Sequence, residues 1–132
     1  MDITDAIKIA KKARLNACAS YSNYFVGACL VTKSGKYYSG CNIENNGIQS
    51  ICAERTAFVK ALSEGEREFS YIVVVGGYKD NSVLDECLPC GYCRQFINQY
   101  VDNEFKIYSC YGENDTIKTF AITDLLPHSF KL

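Results

Sequence analysis

Ser70-Tyr71-Ile72-Val73-Val74-Val75 is a nearly continuous run of β-branched and aromatic residues, closed by Gly76-Gly77. A run of that kind, with no alternation of polar and apolar positions, predicts a central strand buried on both faces. Helices must then cover both sides of it, and the neighbouring sequence supplies them. Upstream, residues Cys52 to Ser63 have helix-forming composition with Ala53, Ala57, Phe58 and Ala61 as the apolar positions, and Gly65 stops the helix. Downstream, the polar stretch Tyr78 to Leu88 reads as a loop before a helix from Cys90 to Tyr100. Phe105 to Tyr111 and Ile117 to Ile122 follow as strands.

Nearer the N-terminus, Thr4 is a plausible cap for a helix from Asp5 to Ala19. Its residues Ala6, Ala10, Ala13 and Ala17 form a small-residue face suited to lying close against a sheet. Tyr21 to Phe25 reads as a loop, and Val26 to Thr32 and Lys36 to Asn42 as a hairpin turned by Lys33-Ser34-Gly35. The resulting order α-β-β-α-β-α-β-β predicts a mixed five-stranded sheet with helices on its faces, a three-layer α/β/α fold. Residues 1–132 fit one domain, long enough to bury a substantial core.

A formal net charge of -1 argues against a general nucleic-acid binder, so no nucleic-acid partner is expected. No signal pattern opens the chain and no apolar run approaches the roughly 18 residues of a membrane span. An intracellular, cytoplasmic protein with no membrane partner is the expectation. In a reducing compartment its eight cysteines point to metal ligands and buried thiols rather than disulfides. Cys18, Cys29, Cys41 and Cys110 lie in apolar contexts and read as small buried hydrophobes.

The chemistry is concentrated in Cys52-Ala53-Glu54-Arg55 and Pro89-Cys90-Gly91-Tyr92-Cys93-Arg94. Cys90 and Cys93 stand one helical turn apart, so both sulfurs can face one ion, and Cys52 offers a third thiolate. Three protein ligands leave a position open, which is the arrangement of a catalytic rather than a structural zinc. Glu54, two residues from Cys52 on the adjoining helix face, can handle protons without binding metal. Zn²⁺ with three thiolates carries a net negative charge, which two convergent helix N-termini and the Arg55 guanidinium would offset. Cys87 precedes the proline, outside the helix, and is read as a non-ligand. Arg94 is read as structural, and His128, the single histidine, as a surface or interface residue.

Together with Asn42-Ile43-Glu44-Asn45 and Leu125-Leu126-Pro127, these motifs resemble the small, all-cysteine cytidine deaminases over most of the chain, Tyr21 to Phe130. The resemblance implies one Zn²⁺ per subunit on Cys52, Cys90 and Cys93, Glu54 as the proton-transferring group, and Arg55 hydrogen-bonded to the ligand thiolates. It implies that Asn42 and Glu44 hold the ribose, that Ala53 belongs to the substrate site, and that Tyr24 or Phe25 stacks on the base. Tyr24 stands where the family usually has phenylalanine, and Phe25 where it has proline. Phe130 matches a C-terminal aromatic that the family lends to a neighbouring subunit of a homotetramer.

The activity implied is hydrolytic deamination of cytidine and deoxycytidine to uridine and deoxyuridine in pyrimidine salvage, with a free nucleoside as the small-molecule partner. Asn45 to Ile51 departs from the family's loop, lacking its tyrosine and proline and one position. That departure keeps a deaminase of cytosine-containing nucleoside antibiotics, of the blasticidin S type, as the alternative. A structural zinc module is the reading from another class, and only Cys87 could close it with a fourth ligand.

Overall fold

The structure, a computed structural model, describes all residues from Met1 to Leu132. Its elements are α1 (Ile3–Arg14), β1 (Tyr24–Thr32), β2 (Tyr37–Cys41), α2 (Ala53–Ser63), β3 (Phe69–Tyr78), α3 (Gly91–Tyr100), β4 (Lys106–Tyr111), β5 (Thr116–Ala121) and α4 (Ile122–Leu125). The strands form a single mixed sheet in the order β2-β1-β3-β4-β5. Only β3 and β4 run parallel, joined through α3, while β1–β2, β1–β3 and β4–β5 are antiparallel. The expected mixed five-stranded α/β/α fold is therefore what the chain adopts.

Strand β3 divides the interior. Ile72 and Val74 join Ala53, Ala57, Phe58, Cys93 and Ile97 in the larger apolar cluster beneath α2 and α3. Val73 and Val75, their neighbours by the two-residue alternation of a strand, join Ala6, Ile7 and Ala10 of α1 in the smaller one. A strand buried on both faces is what its unbroken apolar run demands.

Several boundaries differ from the sequence expectation. Asp2, not Thr4, caps α1, its carboxylate accepting the Thr4 N–H at 3.2 Å. The helix ends at Arg14, short of the expected Ala19, where the next N–H groups close tighter turns onto Lys12, Ala13 and Arg14, and the Arg14 side chain turns inward. Its guanidinium donates to the carbonyls of Phe25, Gly77 and Tyr78 and fastens the site ends of β1 and β3 together. Gly76 and Gly77 do not end β3 but pair with Val26 and Phe25. A Cβ on Gly76 would come within 2.7 Å of the Cys87 sulfur, so the glycine makes room for a side chain of the site wall. Ile122, expected at the end of the last strand, instead begins α4, whose start is capped when Asp124 accepts the Ala121 N–H. Of the four cysteines read as buried hydrophobes, Cys29 and Cys110 are buried, Cys41 is half-buried and Cys18 is exposed. His128 is exposed, as expected.

Two glycines set how close the helices lie. A Cβ on Gly27 would sit 2.0 Å from the Ala10 carbonyl oxygen of α1, and one on Gly40 would sit 2.5 Å from that of Ala53 in α2. The second contact places the helix that carries Cys52 and Glu54 directly on β2.

Candidate active site

Cys52 and Cys90 occupy equivalent places, each the N-cap of a helix with extended backbone (φ -73° and -67°), and Cys93 lies in the first turn of α3. The Cys90 sulfur accepts the Cys93 N–H at 3.5 Å. The sulfurs of Cys52, Cys90 and Cys93 all lie within 4.8 Å of one another, and those of Cys52 and Cys90 are 3.5 Å apart. Sulfurs sharing a tetrahedral zinc at about 2.3 Å stand roughly 3.8 Å apart, so this donor set fits the ion. The positive ends of α2 and α3 meet there, which favours thiolate over thiol. The Cys52 thiol is depressed to about 5, chiefly by bonding from Cys93 and further by Cys90 and Arg55, against the opposing effect of burial, while the same bond and burial push the Cys93 thiol up.

Arg55 reaches back over this cluster. Its Nη2 donates to the Ser50 carbonyl at 3.1 Å and lies 4.0 Å from the Cys52 sulfur, while its guanidinium carbon lies 4.2 Å from the centre of the Tyr92 ring. Arg94 takes no part in the cluster. It donates to the carbonyls of Pro89 and Leu125 and ties the start of α3 to α4.

Glu54 is buried in the first turn of α2, 3 % exposed. Burial pushes its carboxyl up to about 7, with the Cys52 charge adding to the rise and its own backbone N–H and Arg55 opposing it. The Glu54 charge in turn raises the thiols of Cys87 and Cys93. Ala53, fully buried between Cys52 and Glu54, has a first-turn N–H with no acceptor within its own helix.

Cys87 lies outside the three-sulfur cluster. Its backbone N–H donates to the Ser109 hydroxyl, and its sulfur rests against Gly76. Burial, with the nearby Glu54 charge, pushes its thiol up to about 12.

Strand alternation separates the two candidate aromatics. Val26, Ala28 and Leu30 face the α2–α3 cluster, so Tyr24 shares their side, its ring edge-on to Tyr78 at 5.0 Å and beside Gly76 and Cys87. Phe25 shares the α1 side with Cys29 and Val31, beside Ala17, Cys18 and Lys79, and is not brought to the sulfurs.

Asn42 and Glu44 are engaged at the mouth. The Asn42 oxygen accepts the Val26 N–H at 2.9 Å and its amide donates to the Tyr24 carbonyl at 2.8 Å, leaving one lone pair and one N–H. Glu44 accepts from the backbone N–H groups of Tyr21 and Ser22 and from the Ser22 hydroxyl, leaving about one of its four lone-pair directions. The loop between them and α2 is pinched closed by the Ile43–Ile51 bridge. Phe130 is exposed, its carbonyl held by Gln95 and Asn98 of α3.

Residues 2–109 match the family described as the cytidine and deoxycytidylate deaminase zinc-binding region. This chain belongs to that deaminase family. The cytidine deaminase of Sporosarcina psychrophila is 39 % identical over 131 residues, covering 98 % of this chain and 92 % of that one. A probable cytidine deaminase of Dictyostelium discoideum is 37 % identical, covering 98 % and 84 %. Among solved structures, the cytidine deaminase of Burkholderia pseudomallei is 38 % identical with a TM-score of 0.83, covering 98 % of this chain and all of that one. The deaminase family's zinc-binding region thus spans the three-cysteine cluster, which is suited to holding one metal ion.

Two residues that shape the site carried no assigned role in the sequence reading. Arg14 looks like one more surface charge of a Lys-rich helix until its three carbonyl partners are seen. Tyr92 sits inside the metal motif, but nothing in the one-turn spacing says which way it faces.

Proposed function

We propose that this chain hydrolyses the exocyclic amine of cytidine and deoxycytidine, water and nucleoside giving uridine or deoxyuridine and ammonia. The observation that carries the reading is a buried carboxyl, Glu54, in the first turn of the helix capped by Cys52, whose sulfur clusters with those of Cys90 and Cys93. Zinc held by those sulfurs supplies a Lewis acid that makes water nucleophilic near neutral pH. Glu54 takes one proton of the attacking water and delivers it to N3 of the ring, then takes the second from the hydroxyl now on C4 and delivers it to the departing amine, leaving the C4 carbonyl. A carboxyl surrounded by protein does this better than one in solvent, since its proton affinity lies near working pH.

Substrate is held by the capacity each group has left. Asn42 has one donor and one acceptor for a ribose hydroxyl, Glu44 one acceptor, and the Ala53 N–H faces the base with a free donor. The Tyr24 ring forms the wall against which the pyrimidine lies, and Phe25 supports the loop from the opposite side of the sheet. Relatives that are themselves cytidine deaminases disfavour the nucleoside-antibiotic alternative.

We read residues 1–132 as one deaminase domain, acting in pyrimidine salvage as a homotetramer. Exposed Ile43, Ile48, Ile51, Val59 and Phe130 support subunit packing around the site. All eight cysteines are unpaired, which supports a reducing compartment such as the cytoplasm. No helix is long and apolar enough to cross a membrane.

Incubating the zinc-loaded protein with cytidine, deoxycytidine, cytosine and a cytidine nucleotide, and following ammonia release, tests the reading. Turnover of the two nucleosides is expected. Ammonia from none of the four substrates, with one zinc per chain present, would overturn it.

A further inference from the structure

Tyr92 stands between the ligands Cys90 and Cys93, yet its ring is turned outward, 67 % exposed, and lies under the Arg55 guanidinium at 4.2 Å. The Arg55 charge bears on both the Cys93 and Cys52 sulfurs, yet its hydrogen bonds hold the guanidinium only loosely. The two well-formed hydrogen bonds leave from Nη2, one of them a long 4.0 Å approach to the Cys52 sulfur, and Nε is buried with no partner. A planar cation held at one corner can swing about that corner, and its charge would then leave the thiolates. Stacking on an aromatic face holds the whole plane and favours the cation at the same time. The stack also joins the two halves of the centre, since Arg55 belongs to α2 and Tyr92 to α3.

We propose that Tyr92 is a positioning residue for the metal centre: its ring clamps Arg55 over the Cys52 thiolate and so slows the loss of zinc and tunes the reaction. The ring performs this role and the hydroxyl does not, because the face is what the guanidinium meets. The inference rests on the zinc reading of Cys52, Cys90 and Cys93.

The test compares Tyr92→Ala, Tyr92→Leu and Tyr92→Phe with the parent by zinc release to a chromophoric chelator, by kcat and KM for cytidine, and by melting temperature. An exposed cation–π contact corresponds to about a twofold to fivefold effect. The expected result is zinc release faster by that factor in Tyr92→Ala and Tyr92→Leu, kcat lowered with KM nearly unchanged, and both restored in Tyr92→Phe. In an Arg55→Lys background the Tyr92→Ala change is expected to add little, since the plane it holds is gone. Equal release rates for parent and Tyr92→Ala, a Tyr92→Phe as impaired as Tyr92→Ala, or strict additivity with Arg55→Lys would each overturn the proposal. A parent protein that binds no zinc would overturn the metal reading itself, an outcome distinct from one zinc released at equal rates.

Discussion

Glu54 and Asn42 differ in what their surroundings ask of them. The Glu54 carboxyl is buried and accepts a proton readily, but no side-chain partner holds it, so removing its acidity leaves the fold untouched. Glu54→Gln is therefore expected to lower kcat by about 10³-fold or more while retaining one zinc per chain, measured by ammonia release and metal analysis. Loss of the metal instead would make Glu54 a ligand. Asn42 both holds Val26 and Tyr24 and offers its remaining capacity to substrate. Asn42→Ala leaves a half-buried N–H and carbonyl unsatisfied, at a cost of about 1–3 kcal/mol. A rise in KM for cytidine together with a lower melting temperature is expected, and a KM change with unaltered melting would show the two backbone bonds to be dispensable. At this scale the clustering of Cys52, Cys90 and Cys93 was legible in the sequence, because it follows from residue types at a fixed helical spacing. The sequence left Tyr24 and Phe25 undivided, since which of them faces the metal depends on the parity of a strand whose start it placed two residues late.

The helices α2 and α3 were legible because their composition, the stop at Gly65 and the Pro-Cys-x-x-Cys start are all local. Less legible were the lengths of the strands, which depend on partners. Gly76-Gly77 reads as a terminator, yet β1 pairs along both residues and Cys87 occupies the space a side chain would have filled. Gly40 shows how much function hangs on one such approach. The atoms a Cβ would meet, at 2.5 and 2.7 Å, are the Ala53 oxygen and the Ala57 nitrogen, both backbone, so no rotamer change relieves the contact. Gly40→Ala must push α2 off β2 and carry Cys52 and Glu54 with it. Overpacking of this kind costs about 1–3 kcal/mol or more, a fall in melting temperature of roughly 5–15 °C. Calorimetry is expected to show that fall, and chelator titration a faster loss of zinc. An unchanged melting temperature would mean that α2 is not seated by this contact.

Architecture as a whole followed from one central strand and the order of elements around it, whereas the surface of the assembled molecule could not be read from spacing at all. Phe130 illustrates the point. Within its own chain the backbone is fixed by Gln95 and Asn98, but the ring is left 68 % exposed, an arrangement that presents an aromatic group without using it. If that ring completes a neighbouring subunit's site, each site is built from Glu54 of one chain and Phe130 of another, and two differently damaged chains can repair one another. Co-refolding Glu54→Gln with Phe130→Ala in equal amounts then gives about a quarter of sites with both residues intact under random assembly. The mixed preparation is expected to exceed both parents in kcat/KM for cytidine, with sedimentation confirming the assembly. A ring serving its own chain gives a different result, because every site that keeps Glu54 then also carries the Phe130→Ala damage. The mixture would reach only the mean of the two parents, and that outcome would return Phe130 to its own subunit and leave the shared site without support.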